Sequence, residues 1–189
     1  NAGDVGVPSI NCVLIVVGLI VGVALGIPPA LKTKMTAMPQ LVALFNGVGG
    51  GTVALIAWAE YIESDGFTNV HQTPDVALIV GSLFAAIIGS VSFWGSLVAF
   101  AKLQEIMPKG LEKTFVGNAK LFQLANIVLA VAAIAIAIYI GLSADSASAT
   151  PWFWIVLLLV VAGLMGLFVV FPIGGADMPV VISLLNAMT

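Results

Sequence analysis

Apolar residues in this chain fall into blocks too long for a half-buried strand or an ordinary soluble helix, and short polar stretches divide them. The first block runs from Ile10 to Gly26, and Pro28-Pro29 is expected to end its helix. A second helix is expected from Pro39 to about Ile62, a third from Asp75 to Gln104 and a fourth from Asn118 to Leu142. A fifth should start at Pro151-Trp152 and end near Phe171-Pro172. A sixth begins at Met178-Pro179 and reaches Thr189 after about 11 residues, where a bilayer crossing takes roughly 20. The pattern therefore predicts an all-α, polytopic membrane helix bundle: five complete transmembrane helices plus the start of a sixth, in a chain that reads as a piece of something longer.

The polar stretches orient this bundle. All six Lys fall in the predicted loops after helices one and three, Lys102 to Lys120 being read as a solvated loop too sparse for a lipid-binding basic cluster. The loop from Glu63 to Pro74 is acidic and holds the single histidine, His71, read as solvated, and the loop from Ser143 to Thr150 holds Asp145. Lys-bearing loops stay cytoplasmic, so the N-terminus is expected outside and Asp177 at the cytoplasmic face. Trp58, Tyr61, Trp152 and Trp154 are expected at the opposite interface.

Composition narrows the class. The chain is 61% hydrophobic and 8% charged, about a third of the charge an ordinary soluble domain carries. With no Arg and a net charge of −3, nucleic acid is excluded as a partner. The single Cys12 excludes an internal disulfide and a Cys-rich metal site, and reads as a small buried apolar residue. No metal site is expected.

Small residues recur at helical spacing. Gly18, Gly22 and Gly26 give one smooth face, and Gly81, Ala85, Gly89, Ser92, Ser96 and Ala99 form a seam suited to close helix contact. The glycines at 47, 49, 50 and 51 contain no Lys and lie inside a membrane helix, so they are not a phosphate loop. They are expected to admit a neighbouring helix, or water, beside Asn46.

One statement occurs twice. Met38-Pro39 opens a helix with Asn46 seven residues past the proline, and Met178-Pro179 does the same with Asn186, Asp177 standing just ahead at the positive end of the helix dipole. At about 1.5 Å per residue both Asn lie about 10 Å in from their helix starts, and Ser96 lies about 12 Å in from Gln104. The expectation is one shared polar level facing a single interior, since an amide in hydrocarbon is costly. None of the three side chains titrates near neutral pH, so a proton path through them would need a titrating group from another chain.

Three ordered blocks carry a resemblance. GGADMPVVISLLNAMT resembles the stretch entering the penultimate membrane helices of the proton-translocating NAD(P) transhydrogenase beta subunit, and KMTAMPQLVALFNGVGGG and SVSFWGSLVAFAKLQ are similar to two further blocks of that family in the same order. The resemblance implies that residues 1–189 are part of a transmembrane proton-channel domain, with preceding helices, final helices and a C-terminal NADP(H)-binding domain outside this chain. It implies hydride transfer from NADH to NADP+ coupled to inward proton movement, NAD(H) bound by a partner alpha subunit, a homodimeric assembly, and a multi-pass protein of the bacterial inner (plasma) membrane. By position, Asn46, Ser96 and Asn186 match channel residues, and Asp177 matches a carboxylate tied to coupling with the nucleotide domain. Asn46 departs from the His that many members carry there. It resembles a branch of the family whose channel His comes from a separate membrane subunit. Two other classes compete: a secondary transporter with twin half-repeats, and a structural subunit whose Asn residues only bond across helices. A dinucleotide-binding βαβ unit downstream would separate the first reading from these.

Overall fold

The computed structural model describes residues 9–67, 76–144 and 151–188. These form seven helices: α1 Ser9–Lys32, α2 Met38–Glu63, α3 Val76–Leu103, α4 Lys109–Gly117, α5 Ala119–Ser143, α6 Phe153–Val170 and α7 Met178–Met188. Five of them, α1, α2, α3, α5 and α6, are long and apolar enough to cross a membrane, and α7 is a shorter apolar helix. An all-α bundle with five helices able to span a membrane, and a shorter apolar helix after them, is therefore the architecture found. The expectations placed on His71, Asp75 and Asp145 lie outside the described residues.

Four local expectations are corrected. Pro28 and Pro29 do not end α1; the helix passes through them, and the Pro29 carbonyl accepts from the Thr33 amide at 3.0 Å. A proline lacks a donor but keeps its acceptor, so the turn after it still closes. The stretch between α3 and α5 is not all loop, because α4 forms behind Pro108 and lays Phe115 on Phe171, centroids 4.6 Å apart. Tyr61 turns into the bundle instead of toward lipid. It is 1% exposed and its hydroxyl donates to the Pro151 carbonyl at 3.2 Å. Cys12 is exposed rather than buried, as is the whole apolar stretch of α1, and nothing lies against its glycines at 18, 22 and 26.

The core is built around α3, which lies against α2, α5, α6 and α7. In lipid, removing apolar surface from one apolar medium to another drives little, so contact has to come from close backbone approach and interhelical hydrogen bonds. The small-residue seam supplies both from Gly89 onward. A methyl at Gly89 would stand 2.6 Å from the Ala54 nitrogen and 2.7 Å from the Gly50 oxygen, and one at Gly50 would meet the Gly89 oxygen at 2.9 Å. The glycines after Asn46 thus admit a neighbouring helix, namely α3. On the other side of α3, Gly166 of α6 lies against the Val91 carbonyl, and the Ser90 hydroxyl donates to the Leu159 carbonyl at 2.6 Å. Gly81, at the start of the seam, is in open space.

The two Met-Pro motifs are structural twins. Each follows a 3-10 turn, Met35–Ala37 before α2 and Gly175–Asp177 before α7, entered from extended backbone at Lys34 (φ −69, ψ 151) and Gly174 (φ −68, ψ 157). Proline takes an early position where helix donors have no partner anyway.

At its other end α3 closes on Glu105 in the left-handed region, φ 54, with Ile106 N donating to the Ala101 carbonyl at 3.0 Å. A side chain there costs about 1 kcal/mol that glycine avoids. Glu105→Gly is accordingly expected to stabilise the bundle by about 1 kcal/mol, read as a higher midpoint in detergent thermal unfolding; a lower midpoint would contradict this cap.

Candidate functional site

Between α2 and α3 the apolar packing is interrupted by a buried polar cluster. Asn46 is 6% exposed, Ser92 1% and Ser96 0%. Asn46 Nδ2 donates to Ser96 Oγ at 2.8 Å and to Ser92 Oγ at 3.1 Å. The two serines stand one turn apart on the same face of α3, so one amide spans both. Gly47 makes this reach possible, because even a methyl in its place would sit 3.3 Å from Ser96 Cβ.

The cluster keeps hydrogen-bonding capacity in reserve. With both amide hydrogens given to the serines, Asn46 Oδ1 accepts from no group among the described residues. Rotating the amide would exchange an unused acceptor for unused donors. Either way a buried polar atom lacks a partner among the described residues, and water is the small molecule that donates and accepts in such a place.

The structure brings Asn46 and Ser96 together and leaves Asn186 apart. Asn186 is exposed on α7, whose buried residues are Met178, Val181, Ile182 and Leu185. The buried stripe of α2 runs instead through Ala43, Asn46, Gly47 and Gly50. Equal spacing from a helix start fixes depth. The direction in which a side chain points depends on which stripe its helix buries, and at about 100° per residue Asn186 stands roughly a quarter turn from the centre of its own. The shared interior expected for all three thus holds, within this chain, for Asn46 and Ser96.

Asp177 is exposed and ends the 3-10 turn, its amide donating to the Gly174 carbonyl at 3.1 Å. It lies in the link between α6 and α7.

Two further polar residues are buried in the bundle. Ser92 had been grouped with the packing seam alone; its partnership with Asn46 needed the helix pair. Lys102, assigned to a solvated loop, is inside the last turn of α3 and 7% exposed. Its Nζ donates to the carbonyls of Ile173 at 2.6 Å, Phe171 at 2.7 Å and Val170 at 3.2 Å. The signal was present, since the seam continued three residues past Ala99 arrives at Lys102. Nearby, Gln40 Nε2 at the start of α2 donates to the Leu103 carbonyl at 2.9 Å, and Gln104 donates to Gln40 Oε1 at 2.9 Å. On the other flank Asn126 of α5, oriented to satisfy both ends of its amide, bonds the Met165 oxygen and Val169 nitrogen of α6, each at 3.0 Å.

Fold and site together define a polytopic membrane helix bundle whose buried α2/α3 contact carries an amide–hydroxyl cluster without an ionisable group among the described residues. Comparison with known proteins gives the family. The sequence profile described as NAD(P) transhydrogenase beta subunit matches residues 3–189, and the chain belongs to that family. It is 35% identical over 175 residues to the NAD(P) transhydrogenase subunit beta of Rhodospirillum rubrum, and equally to that of a named strain of the same organism. These alignments cover 92% of this chain and 35% of each relative, so the chain spans about a third of the length of the curated relatives it matches.

Proposed function

We propose that this chain is the membrane part of a proton-translocating transhydrogenase, a partial channel domain that carries protons inward as hydride passes from NADH to NADP+ elsewhere in the assembly. The observation that carries the reading is Asn46: a buried amide with unspent hydrogen-bonding capacity, held by two serines at a helix crossing. Such a group holds water in a bundle that otherwise excludes it. Asn and Ser relay a proton between waters but do not store one near neutral pH. The storing group in this reading is a His from the alpha subunit. Asn186, exposed on α7, enters this reading only through its family position and not through contact with the Asn46–Ser96 cluster.

The nucleotides act outside this chain. Among the described residues no strand leads into a glycine-rich turn, and the glycines at 47, 50 and 51 face α3 too closely for a phosphate. NADP(H) belongs to a C-terminal domain of the same subunit and NAD(H) to the alpha subunit, in a homodimer set in a bacterial inner membrane. Asp177, exposed in the α6–α7 link at the cytoplasmic face, couples the two.

The test uses the assembled enzyme in sealed vesicles, with hydride transfer and internal pH followed together. Proton movement in step with hydride transfer is expected, and its absence would overturn the reading. In the same assay Asp177→Asn, which keeps the shape and much of the turn while removing the charge, is expected to lower coupled turnover by about tenfold, the worth of one charged contact. Wild-type turnover and pumping in Asp177→Asn would reduce the residue to a helix-start cap.

A further inference from the structure

Lys102 is a buried cation that the proposed proton path does not use. Its ammonium lies among backbone carbonyls at the C-terminus of α6, where the last carbonyls of a helix seek partners beyond it and the dipole is negative. Val170 is the last residue of α6, and Phe171 and Ile173 begin the link that leads to Asp177. A charge buried to this extent is tolerated only when hydrogen bonds replace water, and three carbonyl contacts between 2.6 and 3.2 Å do so. The same segment is also held where Phe171 stacks on Phe115 of α4.

The helix that bears Lys102 also bears Ser96. The two residues stand about 9 Å apart along the axis of α3, at about 1.5 Å per residue, within one unbroken helix. An unbroken helix passes a displacement along its axis with little loss. We infer that Lys102 is a positioning residue for coupling: it fastens the α6–α7 link to α3, so that the backbone carrying Asp177 keeps register with the Asn46–Ser96 cluster. This inference rests on the proposed proton-coupled function. A flexible aliphatic stem ending in three donors suits the task, since the ammonium follows the carbonyls while the stem lies along the helix contact.

The test compares Lys102→Met and Lys102→Arg in the full-length assembled enzyme. Hydrogen–deuterium exchange is read on peptides covering residues 171–177 and, as reference, on peptides from α2, alongside the proton-to-hydride ratio in vesicles. Lys102→Met is expected to speed exchange in the link by roughly tenfold, the lower end of what a charged hydrogen bond is worth, with α2 unchanged. The proton-to-hydride ratio is expected to fall while hydride transfer keeps more than about half its rate. Lys102→Arg, which retains the charge and its donors, is expected to restore both. Unchanged exchange in the link, or an unchanged ratio with the link loosened, would overturn the inference. Faster exchange throughout α2 would mark loss of the fold, and Lys102→Arg then decides: it must keep link protection and ratio, and failing either overturns the role. If the wild-type enzyme moved no protons, the proposed function would fall, and the exchange comparison alone would decide whether Lys102 anchors the link.

Discussion

Asn46→Leu is expected to cut proton-coupled transhydrogenation by a hundredfold or more while the bundle stays folded. The two effects separate because their magnitudes differ. The substitution removes the two interhelical bonds to Ser92 and Ser96, and such bonds in a membrane are worth about 0.6 kcal/mol each on average. The serine oxygens then lose one accepted bond each, while their hydroxyl hydrogens stay able to donate to carbonyls of their own helix. Conduction is hit harder, because an apolar side chain in place of a hydrated amide leaves a dry step for a positive charge. A charge near the bilayer centre costs about 3 kcal/mol by the lowest scales, which is more than a hundredfold in rate. Asn46→Ser, smaller and still polar, keeps room for water and is expected to retain a substantial part of the coupled rate. Proton uptake in vesicles measures both variants, with thermal unfolding in detergent as the control on fold. Full coupling in Asn46→Leu would remove the cluster from the proton path.

A methyl group added at Gly89 is expected to destabilise the bundle by about 3 kcal/mol, the upper range for overpacking, whereas the same change at Gly81 in the same helix is expected to be neutral or stabilising. At Gly89 the new carbon would meet backbone atoms of Ala54 and Gly50 at 2.6 and 2.7 Å, and backbone has no rotamer with which to yield. The helices must part by about 1 Å, and a gap of that size forfeits up to half of each contact along the seam. Parting also draws Asn46, one turn from Gly50, away from Ser92. At Gly81 nothing lies within 4 Å, so Gly81→Ala gains only helix propensity, up to about 1 kcal/mol. Unfolding midpoints of the two variants, measured in one detergent, should move in opposite directions or with Gly81→Ala unmoved. Equal losses would mean that the α2–α3 crossing is not set by the glycines.

Much of the site was legible because membrane burial makes polar residues conspicuous. Asn46 and Ser96 stand out from helices with few other side chains able to hydrogen-bond, and the seam from Gly89 to Ala99 announced the face that α3 turns to α2 and α6. Reading failed where a residue's role came from a partner remote in sequence. Lys102 looks like a surface charge because the five other Lys lie in or beside the polar stretches between apolar blocks, and its carbonyl partners are 68 to 71 positions away. Tyr61 looks like a membrane-interface anchor, but its hydroxyl finds Pro151 across 90 positions.

The sequence by itself determined the number of helices able to span a membrane, their approximate ends and the family. Those properties depend on local composition, on the rise of about 1.5 Å per helical residue and on the length a bilayer demands. Only the tertiary structure decided direction. Two identical helix starts place an Asn seven residues past each proline, yet α2 turns Asn46 into the crossing with α3 and α7 leaves Asn186 on its outer side. Rotation about a helix axis is chosen by which stripe packs best against its neighbours, and that choice resides in the glycines at 47, 50 and 89, which let one pair of backbones meet.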